Sequence, residues 1–256
     1  MAVKLDMSKA YDRVEWRFLE EVIKCLGFEL RWINLVMMCV TSVKYVVMVN
    51  GKPCGEIKPQ KGLRQGDPIS PYLFIICAEA LGALMTKENE EGALTGVPTS
   101  NSGPRISHLF FADNNLLFCR ANHTQWENLT NVLQIYETAS SQRLNASKTL
   151  IIFSKNTSLE DKAKILEMSG LPSTQQYDNY LGLPALVGKS RVAAFKSITD
   201  RVWKRLQDWK LKFLFQAGRE EILKAVIQAI LTYCMNVFLL PRALCVEINS
   251  QMRRFW

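Results

Sequence analysis

No stretch of this sequence reaches the run of about eighteen uncharged apolar residues that a helix needs to cross a bilayer. The longest candidates, around Trp32 to Cys39 and Tyr72 to Ala78, soon meet charged or polar residues. A secretory leader is missing too, because Lys4, Asp6, Lys9 and Asp12 interrupt any apolar core near the amino terminus. These absences predict a soluble intracellular protein, in the nucleus or cytoplasm, with no membrane partner. There is no CxxC pair: the seven cysteines (Cys25, Cys39, Cys54, Cys77, Cys119, Cys234 and Cys245) are odd in number and scattered. That argues against a disulfide framework or a thiolate zinc site and predicts free thiols, mostly in the core. Histidine is scarce, and neither His108 nor His123 has a partner that would make it a ligand or a base. Ser70 and Ser107 lack the neighbours of a nucleophilic triad. Internal repeats and low-complexity tracts are absent.

With 48% hydrophobic residues in 256, the chain can bury a sizeable core, as one large domain or two smaller ones. Its net charge of +8 is unevenly placed. Residues 1–186 carry 19 basic and 19 acidic side chains, whereas residues 187–256 carry 13 basic and 5 acidic. A basic segment beside a neutral one suits a surface that attracts a phosphate backbone without sequence preference, and a solvated helical face is the alternative.

Hydrophobic periodicity outlines the elements. Val3 to Leu5 is a short strand feeding a helix in which Trp16, Leu19, Ile23 and Leu26 recur, closed by Gly27. Val43, Tyr45, Val47 and Val49 alternate into Asn50-Gly51, a two-residue hairpin turn with a return strand through Ile57. Pro68 to Met85 reads as a buried helix entered through the loop GLRQGDP. Residues 105–119 form a second hairpin with Asp113-Asn114 at its tip. Thr124 and Glu127 make a capping box for a helix whose core face is Leu129, Val132, Tyr136 and Ala139. A strand at Leu150 to Phe153 and a helix from Ser158 to Gly170 follow. Beyond about Ser190 only helical spacing remains: Val202, Leu206, Trp209 and Phe213, then Ile222, Val226, Ala229 and Tyr233. The order fits an α+β domain, residues 1–186, with helices on one face of an antiparallel sheet, followed by a basic helical segment, residues 187–256.

Asp6 ends an apolar strand and Asp113 sits at a hairpin tip, positions from which two carboxylates from adjacent strands could share hard divalent cations. Taken singly, Asp6 is as well a helix cap and Asp113 a turn residue. The ordered set of motifs decides between these readings. KLDMSKAYDRVEW (4–16), GLRQGDPISPYLF (62–74), FADN (111–114), LNASKT (144–149), YLGLP (180–184) and AGREEILKAVIQAI (217–230) together resemble the reverse transcriptase family, most closely plant LINE-type, non-LTR retrotransposons.

That resemblance implies a reverse transcriptase palm followed by a helical thumb, with the fingers largely missing because they precede the first motif in the family. It implies an RNA-directed DNA polymerase that extends a DNA primer on an RNA template from deoxynucleoside triphosphates. Asp6 and Asp113 would ligate two Mg2+ ions, with Mn2+ as a substitute. Tyr11 would be the steric gate against a ribose 2′-hydroxyl. Arg64, Gln65 and Gly66 would contact the incoming nucleotide, and Lys148 would protonate the departing pyrophosphate. Asn114 stands where the family's third motif has its second acid, keeping the shape and losing the charge. Tyr180, Leu181 and Gly182 would grip the primer, and Arg201, Lys204, Arg205 and Lys212 share a helical face that would track the template–primer duplex. The alternative is a catalytically inactive relic that at most binds nucleic acid; a metal-dependent nuclease leaves the GLRQGDP loop and Tyr11 without a purpose.

Overall fold

The computed structural model describes all residues except 101, 102, 113, 175–178, 185, 186, 188, 189 and 211–213. The chain divides into two units, Met1–Gln175 and Gln176–Trp256. In the first unit the elements run β1 (Ala2–Leu5), α1 (Trp16–Cys25), α2 (Leu30–Thr41), β2 (Tyr45–Val49), β3 (Lys52–Ile57) and α3 (Ser70–Glu90). They continue with β4 (Val97–Pro98), β5 (Arg105–Ile106), β6 (His108–Phe111), β7 (Asn114–Phe118), α4 (His123–Ser140), β8 (Leu150–Ile152), α5 (Leu159–Ser169) and β9 (Ser173–Thr174).

The central sheet has the order β6-β7-β1-β8-β9, which makes the amino-terminal strand its middle member. β1 is antiparallel to both β7 and β8, while β8 and β9 run parallel, so the sheet is mixed and not purely antiparallel as expected. The reason is α5: a helix inserted between two neighbouring strands lets the chain re-enter the sheet in the same direction. Val3, Leu5, Leu117 and Ile151 are buried against Leu81 and Met85 of α3, Leu129, Val132 and Tyr136 of α4, and Ile165 of α5. Ala2 and Lys4, which alternate with them along β1, are only half buried. A second cluster joins Leu19 and Ile23 of α1, Ile33, Val36 and Val40 of α2, and Leu73, Phe74 and Cys77 of α3.

Local signals set most helix ends, with two corrections. Ser158 accepts a hydrogen bond from the Asp161 N–H and Gly170 closes α5 in the left-handed region, as the sequence predicts. For α4 the cap is Asn122, whose side chain accepts from the Gln125 N–H, and not Thr124; an asparagine two residues earlier wins the start. The hairpin expected at 105–119 opens one residue earlier than its reading, since Asn114 already pairs with Phe111 as the first residue of β7. Cysteine burial also differs: Cys77, Cys119 and Cys234 are buried, Cys245 is intermediate, and Cys25, Cys39 and Cys54 are exposed; all are free thiols.

The second unit contains the hairpin β10 (Asn179–Tyr180) and β11 (Leu183–Pro184), then α6 (Arg191–Lys210), α7 (Gln216–Ile222), α8 (Gln228–Met235) and α9 (Arg242–Phe255). One π-helical stretch, Leu223–Ile227, joins α7 to α8 in a continuous run. It shifts the helical register by about one residue. The core face therefore runs Ile222, Ile227 and Cys234, whereas the expected face placed Val226, Ala229 and Tyr233 inward; Ala229 and Tyr233 are exposed. Of the face expected on α6, Val202 and Leu206 are buried, Trp209 is half buried and Phe213 lies outside the described residues; Phe195 and Ile198 extend the buried face toward the helix start. No helix among the described residues is long and apolar enough to cross a membrane.

Leu117 is fully buried in β7, opposite Val3. Leu117→Ala is expected to lower stability by about 3 kcal/mol, read as a shifted urea midpoint with an unchanged slope.

Candidate active site

Asp6 directly follows Leu5, the last residue of the central strand, and Leu5 is paired with Asn115 of β7. The β6–β7 hairpin therefore has its tip beside the end of β1. Asp6 is half buried and its backbone is fully engaged: its N–H donates to Thr149 Oγ1 at 3.3 Å and its carbonyl accepts from the Asn145 N–H at 2.8 Å. Thr149 is itself 1% exposed. None of the described residues hydrogen-bonds or ion-pairs with the Asp6 carboxylate. Ala112 turns the hairpin at φ 51°, and Asn114 opens β7. Asp113 lies outside the described residues.

The loop after Asp6 is held from both sides. On one side Ser8 N–H donates to the Arg143 carbonyl at 2.8 Å, Gln142 Nε2 to the Ala10 carbonyl at 3.1 Å, and Glu15 N–H to the Ser140 carbonyl at 3.2 Å. On the other side Leu63 N–H donates to the Tyr11 carbonyl and Gly62 N–H to the Val14 carbonyl, both at 2.8 Å. Trp16 Nε1 returns a bond to the Gly62 carbonyl at 2.8 Å. The Tyr11 ring lies stacked on Phe74 of α3, centroids 4.7 Å apart and planes 12° apart, and Phe74 is 2% exposed. The ring is therefore backed by a rigid helix while remaining half exposed itself.

Of the loop before α3, Arg64, Gln65 and Gly66 are exposed, and Gly66 has φ 88°. Asp67 Oδ1 accepts from the Ile69 N–H at 3.1 Å, and the helix starts at Ser70, two residues after Pro68. In the structure a Cβ at Gly66 would meet nothing within 4 Å, whereas one at Gly62 would lie 2.8 Å from the Asp12 carbonyl oxygen. Lys148 is exposed in the turn that joins Asn145 to Thr149.

In the second unit Leu181 and Gly182 form a two-residue turn at φ 52° and 78°. The Leu181 carbonyl accepts from Tyr233 Oη at 2.6 Å, and burial pushes the Tyr180 phenol above its usual pKa. Arg201, Lys204 and Arg205 are exposed on α6 opposite buried Val202 and Leu206, with Trp209 half buried. Lys212 lies outside the described residues.

Sequence reasoning missed Gln142, Thr149, Gly62 and Asn115. Asn115 is 3% exposed in β7, and its Oδ1 has no hydrogen-bond partner among the described residues. Gly62 and Thr149 fall inside two of the motifs but receive no role there, because they and Gln142 act on backbone brought from far along the chain. Among the described residues no group of three or more His, Cys, Asp and Glu could hold a metal ion. The donors at the strand end are oxygen donors, the Asp6 carboxylate and the Asn114 amide, which fit a hard cation in type and carry one charge fewer than two acids.

The mixed sheet thus brings an aspartate at the end of its central strand beside a hairpin. Residues 1–185 match the family described as reverse transcriptase (RNA-dependent DNA polymerase), and the chain belongs to that family. An uncharacterized mitochondrial protein of Arabidopsis thaliana is 54% identical over 66 residues, 26% of this chain and 54% of that protein. The Pol polyprotein from the type-2 retrotransposable element R2DM of Drosophila melanogaster is 27% identical over 187 residues, covering 70% of this chain and 17% of that protein. A telomerase from Candida albicans, solved with a fragment of telomeric RNA, superposes with a TM-score of 0.50 at 11% identity over 99% of this chain and 43% of the other. The chain thus spans about half of one curated relative and a small part of the other, and the telomerase likeness shows the fold.

Gly62→Ala adds a Cβ at φ 91°, 2.8 Å from a backbone oxygen. It is expected to destabilise the first unit by about 2 kcal/mol or more, seen in chemical denaturation followed by tryptophan fluorescence.

Proposed function

We propose that this chain carries the nucleotidyl-transfer centre of an RNA-directed DNA polymerase, with residues 1–186 as palm and 187–256 as thumb. The observation that carries this reading is Asp6: a half-buried carboxylate without a protein partner among the described residues, at the end of the central strand and beside the FADN hairpin. Asp6 and Asp113 would hold two Mg2+ ions, with Mn2+ as a substitute, and Asn114 would add a neutral oxygen. When bound, such ions lower the barrier to attack by a primer hydroxyl and balance charge on the departing pyrophosphate.

The protein's own part is positioning. Tyr11, backed by Phe74, would occupy the space of a 2′-hydroxyl and so favour deoxynucleotides. Arg64 and Gln65 are exposed to reach the triphosphate and base, and Gly66 leaves room for close approach. Lys148 would donate a proton to pyrophosphate. Tyr180, Leu181 and Gly182 would hold the primer strand, while Arg201, Lys204, Arg205 and Lys212 would follow the phosphates of an RNA template–DNA primer duplex.

The purified chain, given oligo(dT) on poly(rA), dTTP and Mg2+ or Mn2+, is expected to extend the primer weakly. Asn114→Asp should raise the rate at least about tenfold, because it restores a charge that balances the ions. Asp6→Ala placed in the Asn114→Asp chain should abolish extension. If neither the native chain nor Asn114→Asp extends the primer with either metal, the reading is wrong for this polypeptide.

A further inference from the structure

Gln142 follows the end of α4 and is 1% exposed, a polar side chain buried where an apolar one would pack more cheaply. Its amide has one orientation that satisfies its surroundings. Nε2 donates to the Ala10 carbonyl at 3.1 Å, and Oε1 accepts from Tyr136 Oη at 2.9 Å. The reverse orientation would set an acceptor against a carbonyl. Tyr136 is 3% exposed, also within reach of the Cys77 carbonyl at 3.3 Å and edge-on to Phe18 at 5.9 Å. The Gln142 N–H is in turn fixed by Ser140 Oγ at 3.2 Å. One buried chain of hydrogen bonds therefore runs from α3 and α4 to the peptide bond immediately before Tyr11.

We infer that Gln142 is a positioning residue that fixes the Tyr11 ring through the Ala10 carbonyl and thereby sets discrimination between deoxyribose and ribose. This rests on the polymerase reading for the role of Tyr11. The backbone at Tyr11 has two anchors: Gln142 on the carbonyl before it and the Leu63 N–H on its own carbonyl. Phe74 supports the ring from beneath and fixes its tilt. Removal of the Gln142 anchor strands a part-buried carbonyl and loosens the loop at the residue whose placement matters most.

The test joins backbone exchange to sugar selection in the full chain. In Gln142→Leu the Arg13 and Leu63 amides, bonded to the Lys9 and Tyr11 carbonyls, should exchange about tenfold faster than in the native chain. On poly(rU) primed with oligo(dA), the ratio of the ATP to dATP dissociation constants should fall about fivefold. In Gln142→Leu combined with Tyr11→Ala the ratio should equal that of Tyr11→Ala alone, since Gln142 acts through the ring. Unchanged amide protection, or released amides with an unchanged sugar ratio, would overturn the inference. Absence of binding by either nucleotide would overturn the polymerase reading and the sugar clause with it, and the amide exchange would still decide whether Gln142 holds the loop. If Gln142→Leu does not fold, Tyr136→Phe removes only the hydroxyl that orients the amide. It should speed exchange at the same two amides about threefold, and no change there would refute the network.

Discussion

The structure depends on how the segment from Met7 to Glu15 is held, because no regular secondary structure of its own fixes it. A loop between a central strand and a helix would ordinarily lie on the surface and move. Here its carbonyls and amides are bonded by residues near 140–145 on one flank and 62–63 on the other. These partners come from far along the chain, so the loop takes its shape only when α3, α4 and the sheet are all in place. The site is thus a product of the whole first unit, and it is rigid where a site needs rigidity.

The same logic explains the division of labour within the central sheet. Val3 and Leu5 spend one face of β1 on the core, and the residues alternating with them remain half exposed. A strand flanked by partners on both sides is the least mobile place in a sheet, and its end is where a functional side chain can project with the least freedom. Asp6 occupies that end, with both backbone groups engaged, so its carboxylate is the only part left to move.

Much of this was legible in the sequence, for identifiable reasons. Asn50-Gly51, Ser158 with Asp161, and Gly170 are local devices whose energetics involve neighbours a few residues away, and they sit where expected. The motif order carried the family. What could not be read was non-local: the parallel pairing of β8 with β9, the register shift that the π-helical stretch imposes on the Ile222 face, and the packing of α2, whose outer face leaves Leu30, Leu35 and Met38 exposed. Gln142 was invisible for the same reason, since its partner Ala10 is 132 residues away. Local chemistry predicts caps and turns; contacts closed late by the whole fold leave no nearby mark.

Asn114 shows how far fold and chemistry separate at this site. As the first residue of β7 it pairs through its backbone with Phe111, an interaction indifferent to whether the side chain ends in an amide or a carboxylate. The amide has nearly the shape of the acid. An amide in place of an acid therefore leaves the β6–β7 backbone pairing unchanged, while in the proposed reading it carries one negative charge fewer where divalent cations would gather. Selection on folding alone would not detect the change. On the proposed reading only a demand for cation binding would, so the charge at this one position, more than any feature of the packing, would decide whether the site holds its ions.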